Sequence, residues 1–188
     1  MVKVAILHEG NAKKTNDNEI LKLLLEKLGL PTEKVEFFGM GTKSNFFKSN
    51  NLNYRQLKSD IEAEMIKKVL FVVDADYKEK DDKYGGYENT RKELQSIIDA
   101  LEITANSDIY VTCDETKCGY LESLILSTIP DERRECIETF LGCSEFTSKE
   151  NHKAILNQIY KIAYPNAPFD LEHKNFATLK EKLQTLFT

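Results

Sequence analysis

The sequence predicts an α/β fold: a parallel sheet of about four strands flanked by helices, followed by a helical C-terminal extension. Three observations carry that prediction. Compact apolar runs at Val2 to Leu7, Val35 to Phe38, Val69 to Val73 and Ile109 to Thr112 read as buried strands. Stretches with apolar residues at helical spacing separate these runs, and beyond Gly119 only helical patterns remain. Such alternation favours parallel strands joined by right-handed crossovers.

Taken in order, Val2 to Leu7 forms the first strand, and Ile20, Leu23, Leu24 and Leu28 then recur on one helical face. Gly29 and Pro31 stop that helix. After the second strand, Gly39 and Gly41 make a loop that leads to a helix around Tyr54 to Ile66. Val69 to Val73 is the clearest strand, nearly all β-branched or aromatic. A charged loop from Lys78 to Lys83 and the Gly85-Gly86 pair precede a helix carrying Leu94, Ile97, Ile98 and Leu101. The later helices are expected at Tyr120 to Ser127, from Pro130 onward, from about Lys149 to Ala163, and around Asn175 to Leu186. Pro165 and Pro168 separate the last two. The division expected is a core over residues 1–115 and a helical extension over 116–188 that packs on it.

At 188 residues, 41% hydrophobic and 30% charged, the chain is long enough to bury a real core. No stretch approaches the roughly 20 apolar residues of a membrane span, and the N-terminus lacks the pattern of a secretory signal. A soluble cytoplasmic protein is expected. The net charge of -5 argues against broad nonspecific adhesion to nucleic acid, while a local basic surface could still neutralise a few phosphates. Cys113, Cys118, Cys136 and Cys143 are spaced too irregularly for a zinc finger, although His152 follows them. They read as reduced, partly buried thiols.

Two of the strands end in acid. VKVAILHEG closes on Glu9 and Gly10, and KKVLFVVDAD closes on Asp74 and Asp76. Parallel strands place their carboxyl ends on one edge, so these three carboxylates are candidates to converge on a divalent cation. Gly10 permits a tight turn beside them. Taken separately, Glu9 reads more often as a solvated turn residue, and Asp-Ala-Asp as a turn or helix cap. Their joint position at two strand ends is what points to metal-assisted phosphate chemistry.

The order of HEG, VVDAD and the β-α frame resembles the Toprim domain shared by topoisomerases, primases and several nucleases. CGYLESLIL and the terminal FDLEHKNFATLKEKL look like segments of small prokaryotic Toprim-like proteins related to OLD-type nuclease domains, so the resemblance spans nearly the whole chain. It implies a Rossmannoid sheet, acid or base work for Glu9, and magnesium (or manganese) binding by Asp74 and Asp76. Glu122, in the Gly119-Tyr120-Leu121-Glu122 segment, matches an acidic position of that family; its plain alternative is a solvent-facing helix residue. Asp17 is similar to a second acidic residue after Glu-Gly, or it merely starts the first helix. Here the chain departs from the pattern, because Asn11 to Asn16 makes the loop longer.

Lys13, Lys14, Lys43, Lys78 and Arg91 lie in or near loops that border the same edge, where positive charge would position a polyanion. Ordinary solubilising charge explains any one of them more simply. Phe46, Phe47 and Tyr54 offer rings for stacking on bases, yet covering the sheet is the safer reading. His8 adjoins Glu9, but strand alternation sends neighbours to opposite faces. Gly39 to Lys43 lacks the spacing of a phosphate loop. The activity expected is metal-dependent phosphodiester cleavage of DNA or RNA. The alternatives are a noncatalytic nucleotide- or phosphate-binding regulator, and an interaction module bound to a partner ATPase or effector of a defence system.

Overall fold

The computed structural model describes residues 2–11, 16–78, 81, 83–114, 116–143 and 170–188. Four parallel strands form one sheet: β1 (Lys3–His8), β2 (Val35–Gly39), β3 (Ile66–Asp74) and β4 (Ser107–Thr112), in the order β2-β1-β3-β4. Register is continuous through the centre, with Leu7 beside Phe71 and Phe71 beside Ile109. The fold class is the α/β arrangement expected.

Alternation along the strands splits the core into two layers. Ala5, Leu7, Phe71, Val73 and Val111 face one side, covered by α2 (Lys43–Phe46), α3 (Leu52–Glu62) and α4 (Tyr87–Ala100) through Phe46, Tyr54, Leu57, Leu94 and Ile98. Val4, Ile6, Leu70, Val72 and Tyr110 face the other. There α1 (Asn16–Lys27), α5 (Leu121–Leu126) and α7 (Ala177–Thr185) bring Leu24, Leu121, Ile125, Leu179 and Leu183. The C-terminal helix therefore supplies part of a main core layer. Between α5 and α7, α6 (Asp131–Cys143) follows Pro130.

Local chemistry explains the boundaries. In α1, Gly29 adopts φ 65° while Leu30 N–H donates to the Leu25 carbonyl at 2.9 Å and Gly29 N–H to that of Glu26 at 3.0 Å. That pair of bonds is a left-handed helix cap, as Gly29 foretold. The expected helix from Tyr54 to Ile66 is corrected at both ends. It begins at Leu52, where Asn51 accepts from Asn53 N–H at 2.9 Å, and it stops at Glu62. The same cap recurs with Glu64 at φ 56°, a residue that gives no sequence signal for it. Ile66 accordingly opens β3. The first strand is likewise displaced by one residue to Lys3–His8, and β4 begins two residues early at Ser107.

The expected helix at 149–163, His152, Pro165 and Pro168 lie outside the described residues. No described helix is long and apolar enough to cross a membrane.

Candidate functional site

The strand order creates a particular place on the carboxyl edge. From β1 the chain moves through α1 to β2 on one side, and from β2 through α3 to β3 on the other, with the two helices on opposite faces. The joint between β1 and β3 is thus the topological switch point, where open α/β sheets leave a crevice for ligands. Glu9 and Asp74 stand at that joint. The Glu9 carboxylate accepts the Asp74 backbone N–H through Oε1 at 2.8 Å.

The loops around the joint are tied together in pairs. Gly10 and Gly41 exchange backbone bonds of 2.7 and 2.9 Å, each with positive φ, which joins the ends of β1 and β2. Asp76 and Gly119 exchange bonds of 2.7 and 3.1 Å, which joins the β3 exit to the approach to α5. Asp76 holds φ 57°, a conformation Asp tolerates better than most residues. Gly119 holds φ 98°, and a Cβ there would meet Ser123 Oγ at 2.7 Å. Both glycines singled out from the sequence thus have backbone reasons to be glycine.

The aspartate and Glu122 candidates at this edge occupy different environments. Asp74 is only 3% exposed, and its Oδ1 accepts the Leu121 N–H at 3.0 Å, so it ties β3 to α5. Glu122 is 5% exposed in the first turn of α5, which corrects the solvent-facing alternative for it. Asp76, with a side chain 43% exposed, lies 3.3 Å through Oδ2 from Lys43 Nζ. Among the described residues no three His, Cys, Asp or Glu side chains are grouped closely enough to hold a metal ion. In kind the donors fit magnesium, a hard cation that needs one or two protein carboxylates when water and substrate phosphate complete its shell.

Lys43 is the cation that sequence reading undervalued. Placed at the start of α2, it is buried to 9% exposure, and its ammonium donates to the Ala75 carbonyl at 2.6 Å. A loop lysine two residues past a glycine carries no signal of burial. Lys78 lies with its stem against Gly86, and Arg91 sits on the exposed side of α4, donating to the Tyr87 hydroxyl at 3.3 Å. Lys13 and Lys14 lie outside the described residues. Asp17 is in the first turn of α1.

His8 is fully buried on the α1 side; its Nδ1 lies 2.6 Å from the Glu9 carbonyl and its Nε2 3.4 Å from Asn18 Nδ2. Burial lowers its pKa, the Glu9 carbonyl opposes that shift, and the charge of Lys22 adds to it. Phe46 and Tyr54 are fully buried, so they cover the sheet, while Phe47 stacks on Tyr84 at 4.4 Å. Cys113 and Cys118 are half-buried, but Cys136 and Cys143 are exposed, which corrects the expectation of burial for that second pair. A cavity of about 390 Å³ lies along β4, lined in part by Tyr87, Cys113, Asp114, Lys117 and Asn175, away from the β1/β3 joint.

Fold and edge together define an architectural class: a three-layer parallel α/β protein whose switch point is acidic. No family model, curated protein or solved structure matches the chain.

Proposed function

We propose that this protein is a Toprim-like phosphodiesterase that cleaves nucleic acid with magnesium or manganese. The observation that supports it best is the bonded pair at the switch point, Glu9 Oε1 on the Asp74 N–H. An acid-base group is held there beside a buried aspartate, on the edge where such sheets take ligands. Asp74 would be the principal ligand, with Asp76 and Glu122 as further oxygen donors. The bound cation would offset charge on the phosphate and supply an acidified water. Glu9 would take the proton from the attacking group or return it to the leaving oxygen. Lys43 would face the phosphate from the β2 side, and the nucleic acid would reach this edge despite the net charge of -5 through such local cations.

The test is a panel of labelled single- and double-stranded DNA and RNA, with magnesium, manganese or chelator. Wild type should cleave at least one substrate with metal only. Glu9→Gln should lower the rate by about 10²- to 10⁴-fold, the usual scale for a lost proton-transfer group. The paired Asp74→Asn, Asp76→Asn variant should abolish cleavage. A folded wild type that cleaves none of them overturns the enzyme reading; metal-dependent binding without turnover would identify a phosphate-binding regulator instead.

A further inference from the structure

We propose that Lys43 is the built-in cation of the acidic edge and competes with the divalent metal for Asp76. The inference rests on the metal reading above and says how that site is controlled.

Its basis is where Lys43 comes from and where it reaches. Lys43 follows β2, whereas Ala75 and Asp76 follow β3, and β1 lies between those two strands. The side chain therefore spans the end of β1, where Glu9 stands. Both anchors are fixed: Gly41, two residues before Lys43, is bonded to Gly10, and Asp76 is bonded to Gly119. A lysine this buried needs compensating partners, and these are the Ala75 carbonyl at 2.6 Å and Asp76 Oδ2 at 3.3 Å. The Ala75 carbonyl also accepts the Gly86 N–H at 2.8 Å, so the lysine is not needed to satisfy it. What the ammonium uniquely supplies is positive charge beside Asp76.

An ammonium and a hard divalent cation both seek that carboxylate oxygen, and each repels the other. Metal therefore binds weakly while Lys43 faces Asp76. An incoming phosphate offers the lysine another anion and frees Asp76. Metal and substrate phosphate then bind cooperatively, each raising the affinity of the other.

The experiment is a titration with Mn²⁺ alone at low salt, following the free ion by electron paramagnetic resonance. Wild type is compared with Lys43→Met, Lys43→Gln, Asp74→Asn, Asp76→Asn and the double variant Lys43→Met, Asp76→Asn. Glutamine keeps a donor for the Ala75 carbonyl, so it serves if methionine fails to fold. Removing the charge should tighten Mn²⁺ binding about three- to tenfold, as expected for one partly screened neighbouring charge. The gain should vanish in the Asp76→Asn background. Unchanged or weaker binding in a folded Lys43 variant, with Asp74→Asn still weakening it, overturns the competition and leaves the metal reading standing. Binding that is absent from wild type and from both folded Lys43 variants, or that is indifferent to Asp74→Asn, overturns both.

Discussion

At the end of β1 two neighbouring side chains part company: Glu9 turns to the joint with β3, and His8 goes into the layer under α1. His8 carries a consequence for acid stability. Its pKa lies below the ordinary 6.5, chiefly because burial disfavours the imidazolium. On acidification the unfolded chain takes the proton first, so stability that is full above 6.5 is lost as pH falls toward the folded value. Melting curves from neutral to mildly acid pH should show a steeper fall in Tm for wild type than for His8→Gln. Equal slopes would mean that His8 titrates alike in both states. Glu9, Asp74 and Asp76 were legible because their chemistry is stated by residue type and their place by the apolar run before each. Lys43 was legible only as a basic loop residue. Its burial comes from a crossing between β2 and β3 that no local pattern encodes.

The elements were read well where the chain marks its own punctuation and poorly where it does not. Gly29 ends α1 as its type announces, but α3 ends through Glu64 in the left-handed conformation, and the last four residues of the expected helix, Ala63 to Ile66, are lost to the turn and to β3. The four-residue α2 is too short to show a helical period. Between β4 and α5 the chain depends on Gly119. Gly119→Ala should cost about 1–3 kcal/mol, from a left-handed backbone and a Cβ placed against Ser123. Adding Ser123→Ala removes the Oγ at 2.7 Å but leaves the Cβ at 3.0 Å, so it should recover only a part of that loss in thermal unfolding. Full recovery would show that φ 98° carries no cost there.

For the whole molecule, the two-layer core makes the sheet and the C-terminal helix one mechanical body. Leu183 is fully buried in the layer that holds Leu24, Leu70 and Val72. Leu183→Ala should destabilise by about 2–5 kcal/mol, lowering the urea midpoint with an unchanged slope. A reduced slope would mean that α7 unfolds separately and that the core ends before it. The sequence division at residue 115 followed the change from alternation to helices only, and pattern alone does not reveal that α5 and α7 bury against the same strands as α1. The bond across the β1/β3 joint joins residues 65 apart in the chain. It also makes the Asp74 amide a spectroscopic gauge of the edge, because the resonance of that one proton responds to the charge on the Glu9 oxygen it touches. Ionisation of Glu9, or a cation arriving beside it, is then readable from a single backbone signal with no substrate present.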